Sequence, residues 1–268
     1  LAIILENKMR TLIIGKNSFI GKSFYHSTKS VDIISHSDID KTDFLQYNVV
    51  LNCAITPEFK TEGYREKNDL DFQVGKISEW NDCHYIMLST RKVYGTTTEL
   101  RVLKESSELS PFDFYSENKA KSEKKILELG GSVTILRPSN VYGFEYGRNS
   151  FMGFCMTQLK HNNKIVYTTN PYAKKDFISI KSLCKVLNIV SKTIPQGIYN
   201  VGSNYGLEIG EVARSLIEGY GQGEFISTYE DDEKQDQFIL DNTKLCKHFD
   251  IELPIFQKKY IKKLGEKL

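Results

Sequence analysis

Branched apolar runs, each closed by small or polar residues, recur through the first half of the chain. Thr11-Leu12-Ile13-Ile14, Val31-Asp32-Ile33-Ile34, Val49 to Ala54, Tyr85 to Thr90 and Val133 to Pro138 carry few charges and predict five buried strands. Helical spacing falls between them. It shows at Phe19, Ile20 and Phe24, at Leu70, Phe72, Val74, Ile77 and Trp80 within 67–80, and from Tyr115 to Leu129. Asp40 to Asp43 predicts the opening of a short helix with Thr42 or Asp43 as cap, and 96–114 reads as a loop. This alternation predicts an α/β fold, a Rossmann-type doubly wound parallel sheet with helices on both faces. After about residue 144 the rhythm changes. Helices are expected over 151–159, 208–220 and 258–264, with another running from Asp176-Phe177-Ile178 through Ile189. Short strands are expected at 164–167, near Phe225 and at 197–202. The second half therefore reads as a small interleaved C-terminal α/β lobe.

The first strand ends in Gly15-Lys16-Asn17-Ser18-Phe19-Ile20-Gly21. A strand, a glycine turn and a helix with a second glycine six residues on match a dinucleotide site. The first glycine makes the turn, the last permits close helix–strand packing, and the helix N-terminus faces the phosphates. Ser18 stands where such turns often have a middle glycine. An ordinary strand-to-helix turn has the same outline. The second strand ends in Ser35-His36-Ser37, where NAD-specific folds usually put an acid on the ribose 2′-hydroxyl. NADP(H) is therefore favoured, with NAD(H) left open, and His36 reads equally well as a solvated loop residue. The small residues Asn52, Cys53 and Ala54 at the end of the third strand would let a flat ring lie close to the backbone. The expected organisation is a dinucleotide-binding domain over 9–143, completed by about 174–202, and a substrate lobe from 144–173 and 203–268. Met9 reads as a natural start, so 1–8 is expected to be an upstream extension, too short and lacking the basic front of a signal peptide.

Composition narrows the classes. The chain has 268 residues, 40% hydrophobic and 26% charged, with a net charge of +2. That balance implies no nucleic-acid or acidic-membrane partner. No apolar run reaches the roughly 18 residues of a membrane span. The five cysteines show no CxxC spacing, so a reduced cytoplasmic protein without a metal site is expected.

Tyr followed four residues later by Lys occurs twice, at Tyr25/Lys29 and Tyr115/Lys119. Chance alone supplies about one or two such pairs in a chain this rich in both residues. Context separates them. Tyr25 lies late in the first helix, where packing and solvated charge explain it. Tyr115 opens a helix after the strand that Thr90 closes, on the side of a parallel sheet where ligands bind. Residues i and i+4 share a helix face, and an ammonium beside a phenol favours its ionised form. Such a tyrosine can exchange a proton with a carbonyl or alcohol as hydride moves to or from a nicotinamide, and Thr90 can hold the same oxygen.

Together these pieces resemble the extended short-chain dehydrogenases/reductases of the NAD-dependent epimerase/dehydratase kind, which act on nucleotide sugars. The matching residues run in order: Gly15…Gly21, Asn52-Cys53-Ala54, Ser89-Thr90…Val93-Tyr94-Gly95, Tyr115…Lys119 with Glu123, Leu136-Arg137-Pro138-Ser139-Asn140-Val141-Tyr142-Gly143, Asp176-Phe177-Ile178 and Tyr199-Asn200-Val201-Gly202. The resemblance implies that Thr90, Tyr115 and Lys119 form the catalytic set. It further implies that Lys119 also holds the nicotinamide ribose, that Pro138 lines the nicotinamide and that Asp40 meets the adenine. Asn140 and Lys175 would touch the substrate diphosphate, Lys175 in the place of a usual arginine. Sugar-nucleotide 4,6-dehydratases carry an acidic pair after the catalytic Thr; Arg91 and Lys92 stand there. The cysteine of the bifunctional epimerase–reductases is absent from that region, and the short C-terminal lobe resembles that of the 4-keto sugar reductases. The expected activity is thus NAD(P)H-dependent reduction of a nucleotide-linked 4-keto-6-deoxy sugar. A nucleotide-sugar 4-epimerase with tightly bound NAD and a non-catalytic dinucleotide sensor are the alternatives. The family often dimerises through paired helices, so a homodimer is compatible with the resemblance.

Overall fold

The computed structural model describes residues 9–230, 236–254 and 258–268. Residues 1–8, the expected upstream extension, lie outside the described residues. In chain order the elements begin β1 (Thr11–Ile14), α1 (Phe19–Ser27), β2 (Val31–Ile34), β3 (Val49–Asn52), α2 (Glu58–Thr61), α3 (Leu70–Trp80), β4 (His84–Leu88), β5 (Arg101–Leu103), α4 (Phe114–Glu128) and β6 (Val133–Pro138). They continue with β7 (Asn140–Tyr142), α5 (Phe151–Asn162), β8 (Lys164–Tyr167), β9 (Lys174–Ser179), α6 (Ile180–Thr193), β10 (Gly197–Val201), β11 (Gly206–Glu208), α7 (Ile209–Tyr220), β12 (Glu224–Ser227), β13 (Phe238–Leu240), α8 (Thr243–Phe249) and α9 (Lys258–Gly265).

The chain divides into two compact units. The first comprises residues up to Val93, Leu109–Arg137 and Cys184–Tyr199; the second comprises Tyr94–Glu108, Pro138–Leu183 and the chain from Asn200. The first is built on a six-stranded sheet of order β10-β6-β4-β3-β1-β2. The β1–β2, β1–β3, β3–β4 and β4–β6 ladders are all parallel. Strands β1, β3, β4 and β6 are buried at every position, as apolar runs covered on both faces must be. Strand β2 ends the sheet and is only half-buried. Leu12, Ile14, Val50, Phe72, Val74, Met87, Ile126 and Ile135 form the core of this unit.

The link from β2 to β3 departs from expectation. Asp40 to Asp43 opens no α-helix, although Asp43 is a cap as expected, its carboxylate accepting from Leu45 N–H at 3.1 Å. A 3-10 turn over His36–Lys41 ends there, and Asp43 caps a second one over Phe44–Gln46. Among the described residues β2 is the edge strand, so the order is 2-1-3 at this edge, and the chain switches direction between β1 and β3.

The second unit holds the sheet β11-β9-β13-β5, with β7 paired to β9, and the separate ribbon β12-β8. Met156, Leu159, Ile165, Phe177, Val212, Leu216 and Ile261 pack as its core. Its limits differ from the sequence expectation. Strand β9, expected to complete the first domain, pairs with β7, β11 and β13 of the second unit. The expected loop over 96–114 contains β5, which pairs with β13. Two of the three β5 residues are exposed, so no burial pattern marks it in the sequence.

Candidate active site

In the first unit the β1–α1 turn brings the sheet switch point into close contact. Gly15 has φ +123°, a conformation that L side chains rarely adopt, and a Cβ there would lie 2.9 Å from the Cys53 carbonyl carbon and 3.0 Å from the Ala54 nitrogen. A Cβ on Gly21 would lie 2.8 Å from the Gly15 oxygen. The two glycines thus let the β1 end, the β3 end and α1 meet. Ser18 is the N-cap of α1, its Oγ accepting from the Gly21 N–H at 3.3 Å. The residue in the place of the middle glycine has its own local task, which the glycine pattern did not reveal. Asn17 is exposed in the turn, whereas Ser18, Phe19 and Ile20 are half-buried. This cradle fits a dinucleotide: it is closed to side chains at both glycines and opens on a helix N-terminus. At the end of β2, Ser35 Oγ accepts from the Ser37 hydroxyl at 3.0 Å, and His36 and Asp40 are exposed.

Helix α4 positions the tyrosine and lysine. Asp113 and Ser116 form a reciprocal capping box that fixes its start. Below, Arg137 on β6 donates to the Glu123 carboxylate on α4, which also accepts from the Ser89 hydroxyl after β4. This buried pair ties the helix to the strands that end at the site. The Thr90 hydroxyl lies near enough to the Tyr115 hydroxyl to favour its ionised form. The three residues named as the catalytic set therefore come together within one unit.

A fourth group completes the cluster. Lys119 Nζ donates to Asp71 Oδ2 at 2.6 Å and to the Leu88 carbonyl at 2.7 Å. Both side chains of the ion pair are 5% exposed or less. Asp71 Oδ1 also accepts from Asn52 Nδ2 at 2.8 Å and from the Tyr85 hydroxyl at 3.1 Å. A buried ion pair is tolerable because such hydrogen bonds satisfy the remaining lone pairs. Asp71 sits in the first turn of α3, where the helix N-terminus favours negative charge. Sequence reasoning missed it: an acid in a first helical turn is an ordinary signal, and nothing local says that it faces a lysine on another helix. Asn52, expected to line a flat ring, turns inward to Asp71 and to its own turn, where its Oδ1 accepts from Ala54 N–H at 2.9 Å.

Burial pushes the Tyr115 hydroxyl up, the Lys119 ammonium draws it down, Asp71 pushes it up again, and the balance lies above the ordinary phenol value. For Lys119 burial acts downward, but Asp71 and Tyr115 outweigh it and hold the ammonium charged. Burial also raises the Cys53 thiol, which stays protonated.

The remaining predicted residues belong to the second unit, where Pro138 closes β6 and Asn140 on β7 pairs in register with Phe177 on β9. Lys175, two positions before Phe177, makes a 3.2 Å ion pair with Asp236 and is mostly buried, unlike a solvated surface lysine. The Asp176 carboxylate accepts from Ser203 N–H at 2.8 Å and Leu240 N–H at 3.1 Å, which explains the Asp-Phe-Ile motif as a structural tie. Burial pushes Asp176 up to about 6.

Comparison with known proteins agrees with this fold. The model of the NAD dependent epimerase/dehydratase family matches residues 25–202. The dTDP-D-glucose 4,6-dehydratase of Mus musculus is 27% identical over 139 residues, 50% of this chain; the match spans 39% of that relative's length. A solved dTDP-glucose 4,6-dehydratase of Bacillus anthracis, in complex with NAD, is 18% identical, covers 96% of each chain and has a TM-score of 0.79. The UDP-N-acetylglucosamine 4-epimerase of Methanobrevibacter ruminantium is 15% identical over 96% of this chain and 97% of its own, with a TM-score of 0.80. At these identities the solved structures establish a shared fold. Among the described residues no helix is long and apolar enough to cross a membrane. With the family model covering well over half of its length, the chain belongs to the NAD dependent epimerase/dehydratase family.

Proposed function

We propose that the chain reduces a nucleotide-linked 4-keto-6-deoxy sugar with NAD(P)H. The observation that carries this reading is the Tyr115 hydroxyl, with Thr90 next to it, held in its protonated form beside buried Lys119. The first unit takes the dinucleotide at Gly15, Asn17, Ser18, Phe19, Ile20 and Gly21, and the nicotinamide supplies the hydride to the carbonyl carbon. Tyr115 gives its proton to the carbonyl oxygen, Thr90 orients that oxygen, and Lys119 holds the ribose and the tyrosine. Hydride and proton together convert the ketone to an alcohol with no further reactant. The residues after Thr90 support reduction over elimination. Arg91 is buried, and Lys92 pairs with Asp113 at 2.8 Å and lies over the Phe112 ring. Neither is the acid that 4,6-dehydration needs. The test is turnover of a panel of nucleotide-linked 4-keto sugars with each cofactor, and net consumption of NAD(P)H is the expected result. The likeness to a 4-epimerase favours one second reading, in which the hydride returns to the sugar and no added cofactor is consumed.

Cofactor choice is separately testable. Ser35 and Ser37 at the end of β2 offer hydroxyls and no carboxylate to a 2′-phosphate, so NADPH is expected to bind at least as tightly as NADH. Fluorescence titration of both checks this, and a clear preference for NADH would place the 2′-hydroxyl against some other acid.

In the second unit, we assign Asn140 and Lys175 to the nucleotide-sugar diphosphate. Lys175 is a point charge steadied by Asp236. Lys175→Ala is expected to raise KM for the nucleotide sugar with little change in kcat, because ground and transition states share the lost contact. An unchanged KM removes Lys175 from the site.

A further inference from the structure

We infer that Asp71 is a positioning residue that fixes Lys119 in place and offsets the pull of its ammonium on Tyr115. The inference rests on the proposed roles of Tyr115 and Lys119 and goes beyond them by naming the group that sets the charge balance around the two. An enzyme that begins by oxidising an alcohol needs the tyrosine as a base, and a lone ammonium beside the phenol serves that need. Here the ammonium is not alone. Two of its three protons are committed, to Asp71 Oδ2 at 2.6 Å and to the Leu88 carbonyl at 2.7 Å. The carboxylate is itself held by Asn52 on β3 and Tyr85 on β4, so it cannot swing away without stranding three partners. This anchors the lysine between α3, β3, β4 and α4 and leaves one donor to point at tyrosine and ribose. It also places a negative charge against the positive one, which weakens the pull of Lys119 on the phenol.

The other titratable groups around the pair work in the same direction or not at all. From the start of α3, Asp69 is buried, accepts from the Ser122 hydroxyl at 2.7 Å and the Tyr64 hydroxyl at 2.9 Å, and strengthens the charge on Lys119. Asp113, before α4, adds a smaller upward push on Tyr115 and is itself matched by Lys92. The Cys53 thiol after β3 and the Tyr85 hydroxyl on β4 are held neutral by burial, before any effect of nearby charge. Among these neighbours Asp71 is the acid in direct contact with the lysine.

The test needs neither substrate nor cofactor. Tyrosinate absorbance near 295 nm is titrated for the protein and for its Tyr115→Phe variant, and the difference isolates one phenol. The same difference is taken in the Asp71→Asn background, which keeps side-chain size. In the native background the Tyr115 signal is expected only above about pH 10. In the Asp71→Asn background the first proton leaves the Tyr115–Lys119 pair earlier, and the signal should move to lower pH by about one unit. An unmoved signal overturns the inference. So does a native signal below about pH 9, which decides the matter even if Asp71→Asn fails to fold. Failure of the functional reading shows elsewhere, as retained turnover in Tyr115→Phe.

Discussion

Tyr115→Phe should fold, bind the dinucleotide with unchanged affinity and lose turnover by about 10²–10⁴-fold. The substitution removes one hydroxyl and keeps the ring, and the start of α4 depends on Asp113 and Ser116 rather than on Tyr115. Lys119 keeps its contacts with Asp71 and Leu88, so the ribose side of the site is untouched. What is lost is the hydroxyl beside Thr90 and the proton that it carries. The effect should fall on kcat and kcat/KM alike, since the proton moves only in the transition state. Fluorescence titration of the dinucleotide and steady-state kinetics on a nucleotide-linked keto sugar separate the two halves of the expectation. Activity within a few-fold of the native protein would mean that another group delivers the proton.

The largest stability effect is expected at Glu123. Its carboxylate meets the Arg137 guanidinium through two hydrogen bonds, both side chains are 3% exposed, and Ser89 donates to the same carboxylate. Glu123→Ala removes the carboxylate from a buried ion pair, a change that costs about 3–5 kcal/mol. For a chain of this size that corresponds to a drop of roughly 10 °C in the melting midpoint. Glu123→Gln retains a polar group of the same size and should lose less. A thermal scan of both variants checks this, and a drop of a degree or two for Glu123→Ala would mean that water reaches Arg137 from the surface. Because the pair joins α4 to β6, the same variant should loosen the placement of Tyr115 even where the protein stays folded.

The parts of this protein that were legible in the sequence are those set by local burial and local hydrogen bonding. Strands β1, β3, β4 and β6 are buried on both faces, so each appears as a short apolar run. Helix α4 follows Asp113, and α7 begins at Ile209 close to the expected Glu208. The Tyr115/Lys119 pair could be preferred to Tyr25/Lys29 because it followed a strand that ended in Thr90. The glycine turn announced itself through Gly15 and Gly21, whose missing side chains are a backbone requirement written directly in the residues.

Other features depend on partners distant in the chain, and no local pattern carries them. Strand β5 exists because β13 lies beside it, and two of its three side chains face solvent. Strand β9 was assigned to the first domain on motif order, but its ladders join it to the second unit. The 3-10 turns after β2 contain the same polar residues that would open an α-helix, so no local pattern tells the two apart. The ion pair of Lys175 with Asp236, 61 positions on, carries no local signal either. Asp71 is the clearest case. Its sequence context, an acid two residues after a capping aspartate, is explained by helix initiation alone. Only the packing of α3 against α4 turns it toward Lys119, and burial at that point makes its charge count. The sequence by itself determined the buried strands, the glycine cradle and the Tyr115/Lys119 spacing on one helix face, because apolar runs, glycines and helix spacing act over a few residues. The tertiary structure decided the charge balance at Tyr115, because electrostatic coupling depends on distance through space and on the exclusion of water, neither of which follows from chain order.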